Sequence, residues 1–207
     1  MNKRQIPKFK FDRRIGENIW NSKRSSVNKR NYGPGQHGNK PKKRLTDYGI
    51  RLLTKQKMKV YYSNLTESKF KQVYVKALKL SGNVALNIVR LLEIRLDVLV
   101  HRVRLAPSFR AARQLINHGY ILVNNKKVNT CSYECNVGDV FRIHPKYINS
   151  TLIKQNILIS DLDIPEHIEC CYRYLVFKLI KMPKYTNKTY PVTMNPEAIT
   201  EFYSGRY

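Results

Sequence analysis

Apolar residues recur at helical spacing through the middle of the chain and at strand spacing after it. Leu45 to about Tyr62 reads as a helix, with Leu45, Tyr48 and Leu52 on one side and Arg51, Lys55 and Lys59 along another. Thr66 is placed to cap a second helix, in which Phe70, Val73, Ala77 and Leu78 keep helical spacing until Gly82 stops it. A single apolar stripe, Ala85, Ile88, Val89, Leu92, Leu96, Leu99, Val100 and Val103, predicts a long third helix with Arg90, Arg95, Asp97, Arg102 and Arg104 on its polar side. Pro107-Ser108 opens a short fourth helix and Gly119 closes it. There Phe109, Ala112, Leu115 and Ile116 face one way, and Arg110, Arg113, Gln114 and Asn117 the other. Strands follow at Tyr120–Val123, at Lys126-Lys127-Val128 after an Asn124-Asn125 turn, and at Val140–Ile143 after Gly138-Asp139. In the tail the apolar runs Leu152–Leu158 and Tyr172–Ile180 read as strands, Pro183–Pro196 as turns, and Pro196–Tyr203 as a final helix packing back on an earlier domain.

Charge changes the picture most before Leu45. Residues 1–60 hold 18 Lys/Arg against 3 acids, residues 61–146 hold 14 against 5, and residues 147–207 hold 7 against 6. With a formal net charge of +25, the first two-thirds of the chain calls for a polyanionic partner. Residues 1–44 read as an extended basic arm in which Phe9, Phe11, Trp20 and Tyr32 are interleaved with cations, a mixture suited to bases and phosphates on irregular RNA. Asp12, Glu17, Pro7 and the glycines after Tyr32 argue against an amphipathic presequence. At 42% hydrophobic and 11% aromatic residues a packed core is expected, and no apolar run approaches a membrane span. Four cysteines are too few for a disulfide scaffold.

Gly33-Pro34-Gly35-Gln36-His37-Gly38 matches GxGxxG formally, yet it follows a basic run and precedes Lys40-Pro41-Lys42-Lys43-Arg44, with no strand before it. Its glycines are better suited to a sharp turn whose amides approach phosphate. Cys131 and Cys135, and the adjacent Cys170-Cys171 with His144 and His167 nearby, lack the two tight pairs of a zinc site and read as buried thiols. Acids are few and scattered, and once arm, helices and docking module are allotted no domain of catalytic size remains. No metal, cofactor or catalytic residue is therefore expected. An RNA-modifying enzyme carrying the same docking module is the alternative.

The run RLDVLVHRVRLAPSFRAARQLINHGYILVNNKKV (Arg95–Val128), followed by VGDVFRIHP (Val137–Pro145), resembles the small RNA-binding domain named after ribosomal protein S4. RNYGPGQHG (Arg30–Gly38), DYGIRLLTKQKMKVYY (Asp47–Tyr62) and EFYSGRY (Glu201–Tyr207) resemble, in collinear order, the arm, first helical segment and C-terminal helix of the bacterial-type S4 family itself. The resemblance implies an α+β fold: a mostly helical domain (residues 45–93, completed by a helix near 194–207) into which a small αα-β RNA-binding domain (94–146) is inserted, with the basic arm at 1–44. Residues 147–193 match poorly and are expected as a divergent strand- and turn-rich extension. It implies a primary small-subunit rRNA binder that aids assembly and decoding accuracy, touches the neighbouring small-subunit protein S5 and lines the messenger-RNA entrance, with no membrane. The implied RNA contacts are Arg95, Ser108, Arg110, Arg113, Gln114, Asn117, His118, Asn124 and Lys126, plus Arg30, Tyr32, Gly33, Gly35, Gln36 and His37 of the arm motif. Lys42, Lys43, Arg44, Arg51, Lys55 and Lys127 are expected beside them as cations. Family members that bind zinc do so through N-terminal cysteines, which residues 1–130 lack. Richness in Asn, Lys, Ile and Tyr points to a mitochondrial ribosome, with plastid or bacterial cytoplasm as alternatives.

Overall fold

Residues 9–40 of the segment expected as an extended arm are folded. A computed structural model of the chain describes residues 7, 9–40, 44–159, 164–185 and 190–205, so the expected contacts Lys42 and Lys43 lie outside the described residues. It divides into two compact units, one from Met1–Phe70 and Thr186–Tyr207, the other from Lys71–Tyr185.

In the first unit, α1 (Lys10–Ile15) ends at Gly16, whose φ of 92° suits a glycine, and a 3-10 turn follows at Ser26–Asn28. Asp12 is fully buried and accepts a hydrogen bond from Ser25 Oγ at 2.7 Å. Ile19 is buried, Trp20 Nε1 donates to Tyr61 O at 3.1 Å, and Glu17 pairs with Lys57. These contacts dock the segment on α2 (Asp47–Tyr61), which Thr46 caps by accepting from Gly49 N. Apolar anchors and two acids inside a basic stretch are enough to fold it, which a count of cations conceals. The C-terminal α8 (Glu197–Ser204) lies along α2, with Phe202 near Tyr48 and Arg51 paired to Glu201 at 2.9 Å. Tyr61, Tyr62 and Tyr190 meet edge to face, and the hydroxyls of Tyr62 and Tyr190 share a hydrogen bond of 2.6 Å.

The helix α3 (Glu67–Lys79) runs from the first unit into the second. The carbonyls just beyond its end are taken up by the buried Asn87, whose Nδ2 donates to Leu80 O and Ser81 O. The single long helix expected over residues 85–103 is two: α4 (Val84–Glu93) and α5 (Leu96–Arg102). The stripe is real, but the backbone at the joint is used elsewhere. Arg95 is extended and bridges Glu134, Leu96 N donates to Tyr133 O, and Cys135 N donates to Ile94 O. Hydrophobic periodicity is blind to such a break, because both halves bury the same side.

Ser108 caps α6 (Phe109–Asn117) through its Oγ, and β1 (Ile121–Val123) follows Gly119. Asn124 and Asn125, with φ of 46° and 66°, form the two-residue turn to β2 (Lys126–Lys127). With β3 (Val140–Ile143), β4 (Ile168–Cys171) and β5 (Val176–Leu179) they make an antiparallel sheet in the order β2-β1-β3-β5-β4. The tail thus completes the sheet of the docking module. The run Leu152–Leu158, expected as a strand, lies in α7 (Thr151–Ile159). A short apolar run does not distinguish the two states, and here the spacing of buried Ile153 and half-buried Ile157 is helical. Of the expected Tyr172–Ile180 strand, Tyr172–Leu175 form the turn between β4 and β5, with Leu175 at φ 52°. Phe141, Phe177, Leu99, Val103, Ile116 and their neighbours form this unit's core.

Candidate nucleic-acid interface

In the second unit α6 buries Phe109, Ala112 and Ile116 and turns Gln114, Asn117 and His118 to solvent, with Arg110 and Arg113 half-exposed along its flank. The hairpin residues Asn124, Asn125, Lys126 and Lys127 are exposed as well. Gly119, at φ 74°, joins the two, and a Cβ there would meet Lys127 Cε at 2.0 Å. The lysine stem therefore runs across the end of α6, and helix and hairpin present one continuous polar and cationic surface. Three expected contacts also hold its shape. Asn124 Oδ1 accepts from Val140 N at 3.0 Å while its Nδ2 donates to Asp139 Oδ1 at 2.9 Å, locking the turn. Asn117 Oδ1 accepts from Cys131 Sγ at 2.8 Å. Ser108 serves as the cap, worth about 1 kcal/mol.

Beneath α6 lies a charge cluster. Asp97, about 1% exposed, accepts from Arg95 Nε at 3.1 Å and Nη2 at 2.9 Å and from Arg113 Nε at 2.8 Å. Arg95, expected on the RNA face, is buried in this cluster, where its charge is already neutralised. Arg113 keeps 26% of its side chain exposed and is aimed by Asp97. A second buried pair joins Arg102 to Glu93 through two hydrogen bonds, 3.1 and 2.8 Å. Local spacing sets Asp97 two residues from Arg95, but it does not show that the cluster is buried or that Glu93 meets Arg102, nine residues on.

In the first unit the Gly33–Gly38 turn is closed on itself, with Gly33 N donating to Gly38 O and Gly38 N to Gly35 O, both at 3.1 Å. Arg13, absent from the expected set, holds it: Nε donates to Tyr32 O, Nη2 to Gly33 O at 2.8 Å, and the guanidinium lies 4.7 Å from the Tyr32 ring centre. Arg30, Tyr32, Gly35, Gln36 and His37 are exposed around it. A Cβ on Gly38 would meet Gly33 O at 2.0 Å. Gly38→Ala is expected to open the turn and weaken RNA binding severalfold without moving the melting transition of the second unit, read by RNA titration and amide exchange.

Arg44 and Arg51 are exposed, and the Arg51–Glu201 pair is of the solvated kind, worth under about 1 kcal/mol and open to replacement by phosphate. Lys55 is different. Expected as an RNA contact, it is 3% exposed, donates to Glu67 Oε1 at 2.7 Å and stands 4.1 Å from the Phe202 ring centre. Lys59 donates to Glu67 Oε2 at 2.7 Å and Tyr203 Oη to Oε1 at 2.8 Å. Burial alone would raise the Glu67 pKa, but the hydrogen bonds from Lys55, Lys59 and Tyr203 outweigh it and lower it from 4.5 to about 2. Helical spacing put Lys55 and Lys59 on one face correctly; the face is interior because Glu67 meets it.

All four cysteines are free thiols. Burial pushes Cys135 up to about 12, and burial with the nearby Asp97 raises Cys131. Among the described residues no group of three or more His, Cys, Asp or Glu comes together as a metal site, and no helix is long and apolar enough to cross a membrane.

Residues 3–93 match the family described as the ribosomal protein S4/S9 N-terminal domain, and residues 94–141 match the S4 domain. The small ribosomal subunit protein uS4 of Caulobacter sp. (strain K31) is 44% identical over 205 residues, covering 99% of this chain and all of that protein. The chain belongs to the S4 family of ribosomal proteins. Other S4 relatives agree over the same span: uS4 of Sinorhizobium fredii is 41% identical over 99% of this chain and 100% of its own, and uS4 of Ruegeria sp. is 42% identical over 99% of each. The α+β fold expected from the family resemblance is the one observed. These S4 relatives are bacterial, which lends no support to the mitochondrial expectation.

Proposed function

We propose that the chain docks on small-subunit rRNA through two basic surfaces, the α6–hairpin face of the second unit and the Gly33–Gly38 turn with its flanking cations in the first. As an S4-family member it is a structural, rRNA-binding constituent of the small ribosomal subunit and not an enzyme. The observation that carries the docking proposal is the continuity of Gln114, Asn117 and His118 with Lys126 and Lys127 across Gly119. Side-chain amides and an imidazole can contact RNA edges and 2′-hydroxyls, and the lysines neutralise phosphates. Arg113 is held ready by Asp97, and Arg51 exchanges a weak carboxylate partner for phosphate.

The test is a salt titration. Lys126→Ala with Lys127→Ala should weaken binding to a small-subunit rRNA transcript and reduce the slope of log K against log salt by about 1 to 2 units, since each phosphate contact contributes about 0.7 to 0.9. An unchanged slope removes the hairpin from the interface. Contacts with an S5-type neighbour and with the messenger-RNA entrance are proposed on the family resemblance. The bacterial relatives favour a bacterial-type ribosome in the cytoplasm over the mitochondrial one that composition suggests. Sedimentation of native lysate in each setting decides between them.

A further inference from the structure

The proposed docking surface leaves one face of the second unit's sheet without a role. Strand alternation sends Ile121, Val123, Phe141, Ile143, Phe177 and Leu179 into the core. Leu122, Arg142 and Val176, directly opposite one another in register, therefore stand on the other face, and Lys127 continues the row beside Leu122. Tyr120 and His144 extend this face beyond β1 and β3, joined by His144 N donating to Tyr120 O at 2.8 Å. Here the chain turns back through a 3-10 turn at Pro145–Tyr147, and Tyr147 stacks on Tyr120 with ring centres 3.8 Å apart and planes 18° from parallel.

Three features of this corner point to a ligand. The rings are stacked on each other, yet both residues remain half-exposed at the edge of the core. They are bordered by imidazoles, His118 at 6.3 Å from Tyr120 and His144 at 5.8 Å from Tyr147; His144 Nδ1 accepts from Lys146 N at 3.2 Å, so Nε2 carries its proton. On the same face Arg142 has a buried Nε with no hydrogen-bond partner, and from the 3-10 turn the exposed Lys146 brings its Nζ to 5.9 Å from the Tyr147 ring centre. Lys127 and Lys178 add charge, with Glu169 opposite Lys178. Lysine is depleted in protein–protein interfaces, whereas Lys127 and Lys146 lie beside this pair together with Arg142, a cationic setting that suits a polyanion.

We propose that the Tyr120–Tyr147 corner is a stacking platform for an unpaired RNA base, taken on the side of the Tyr147 ring away from Tyr120, with Arg142, Lys127 and Lys146 receiving the adjoining phosphates. The proposal rests on the rRNA reading and extends it. His118 belongs both to this corner and to the α6 face, so single-stranded RNA leaving that face meets the platform next.

The full chain is irradiated with a uridine octamer carrying one 5-iodouridine, and the crosslinked residue is mapped by mass spectrometry. Attachment at Tyr147 or Tyr120 is expected, and attachment confined to other residues overturns the platform. Tyr147→Leu is expected to lower octamer affinity about tenfold, Tyr147→Phe less than twofold, with melting transitions compared to check folding. A folded Tyr147→Leu chain that binds the octamer like wild type also overturns it. Arg142→Gln leaves the rings in place and is expected to lower octamer affinity severalfold; wild-type affinity counts against the phosphate assignment. If Tyr147 in assembled subunits is crosslinked only to a protein, the occupant is that protein and the proposal fails. Each of these leaves the docking surface standing. Failure of the wild-type chain to bind the small-subunit rRNA transcript would instead overturn the rRNA reading itself.

Discussion

Glu67→Gln is expected to destabilise the helical unit by about 2–3 kcal/mol at neutral pH. Removing one partner of a buried ion pair costs about 3–5 kcal/mol, because the remaining charge is left without compensation in a poorly solvated place. Here the substitution strands two cations, Lys55 at 3% and Lys59 at 10% exposure. The lower figure follows because the Glu67 side chain is itself 46% exposed, so water screens part of its interaction with both lysines. Trp20, the single tryptophan, reports this unit, since its indole is bonded to the backbone of α2. Urea unfolding followed by its fluorescence gives the shift directly. The pH dependence has a definite sign. The folded-state pKa is depressed from 4.5 to about 2, so the Glu67 contribution is complete above about pH 4.5 and is lost as the carboxylate protonates toward pH 2. Wild type and variant should therefore converge as pH falls through that window. A difference that stayed constant from pH 6 to pH 2.5 would place the effect in packing, not charge.

The same residues mark the boundary of what could be read before the fold was known. Lys55 and Lys59 share a face in any helix, but whether that face meets solvent depends on Glu67 and Tyr203, the second 136 residues beyond the first. Charge in a short window carries no information about an acid that arrives from another element. The capped α6, its closing glycine and the Asn-Asn turn were legible because each depends on residues within one turn of chain. Residues 85–103 were legible as an apolar stripe and illegible as a break, since the break is made by backbone pairing with Tyr133 and Cys135. The Gly33–Gly38 turn could be recognised, whereas its clamp, Arg13, lies 20 residues earlier in an otherwise ordinary basic run. Tyr120, Arg142 and His144 could have been placed on one sheet face by alternation alone.

Asp97→Asn is expected to cost about 3–5 kcal/mol in the second unit and to weaken rRNA binding beyond that loss. Asp97 neutralises Arg95, whose side chain is 7% exposed, and orients Arg113 on the flank of α6. The amide is close in shape but uncharged, so both arginines keep their places and lose their counterion. Amide exchange across α5 and α6 reads the stability, and titration of the rRNA transcript reads the function. A further variant separates the two effects. Arg95→Met, Asp97→Leu and Arg113→Met together remove the cluster and replace it with apolar side chains of comparable length, an exchange that is often neutral or stabilising. Stability should recover most of what Asp97→Asn loses, because no buried charge is left unpaired. Binding should not recover with it. Without the Arg113 guanidinium the salt slope stays shallower by about 1 unit, one phosphate contact. Recovery of both together would mean that Arg113 belongs to the scaffold alone and that α6 meets RNA through Arg110, Gln114, Asn117 and His118.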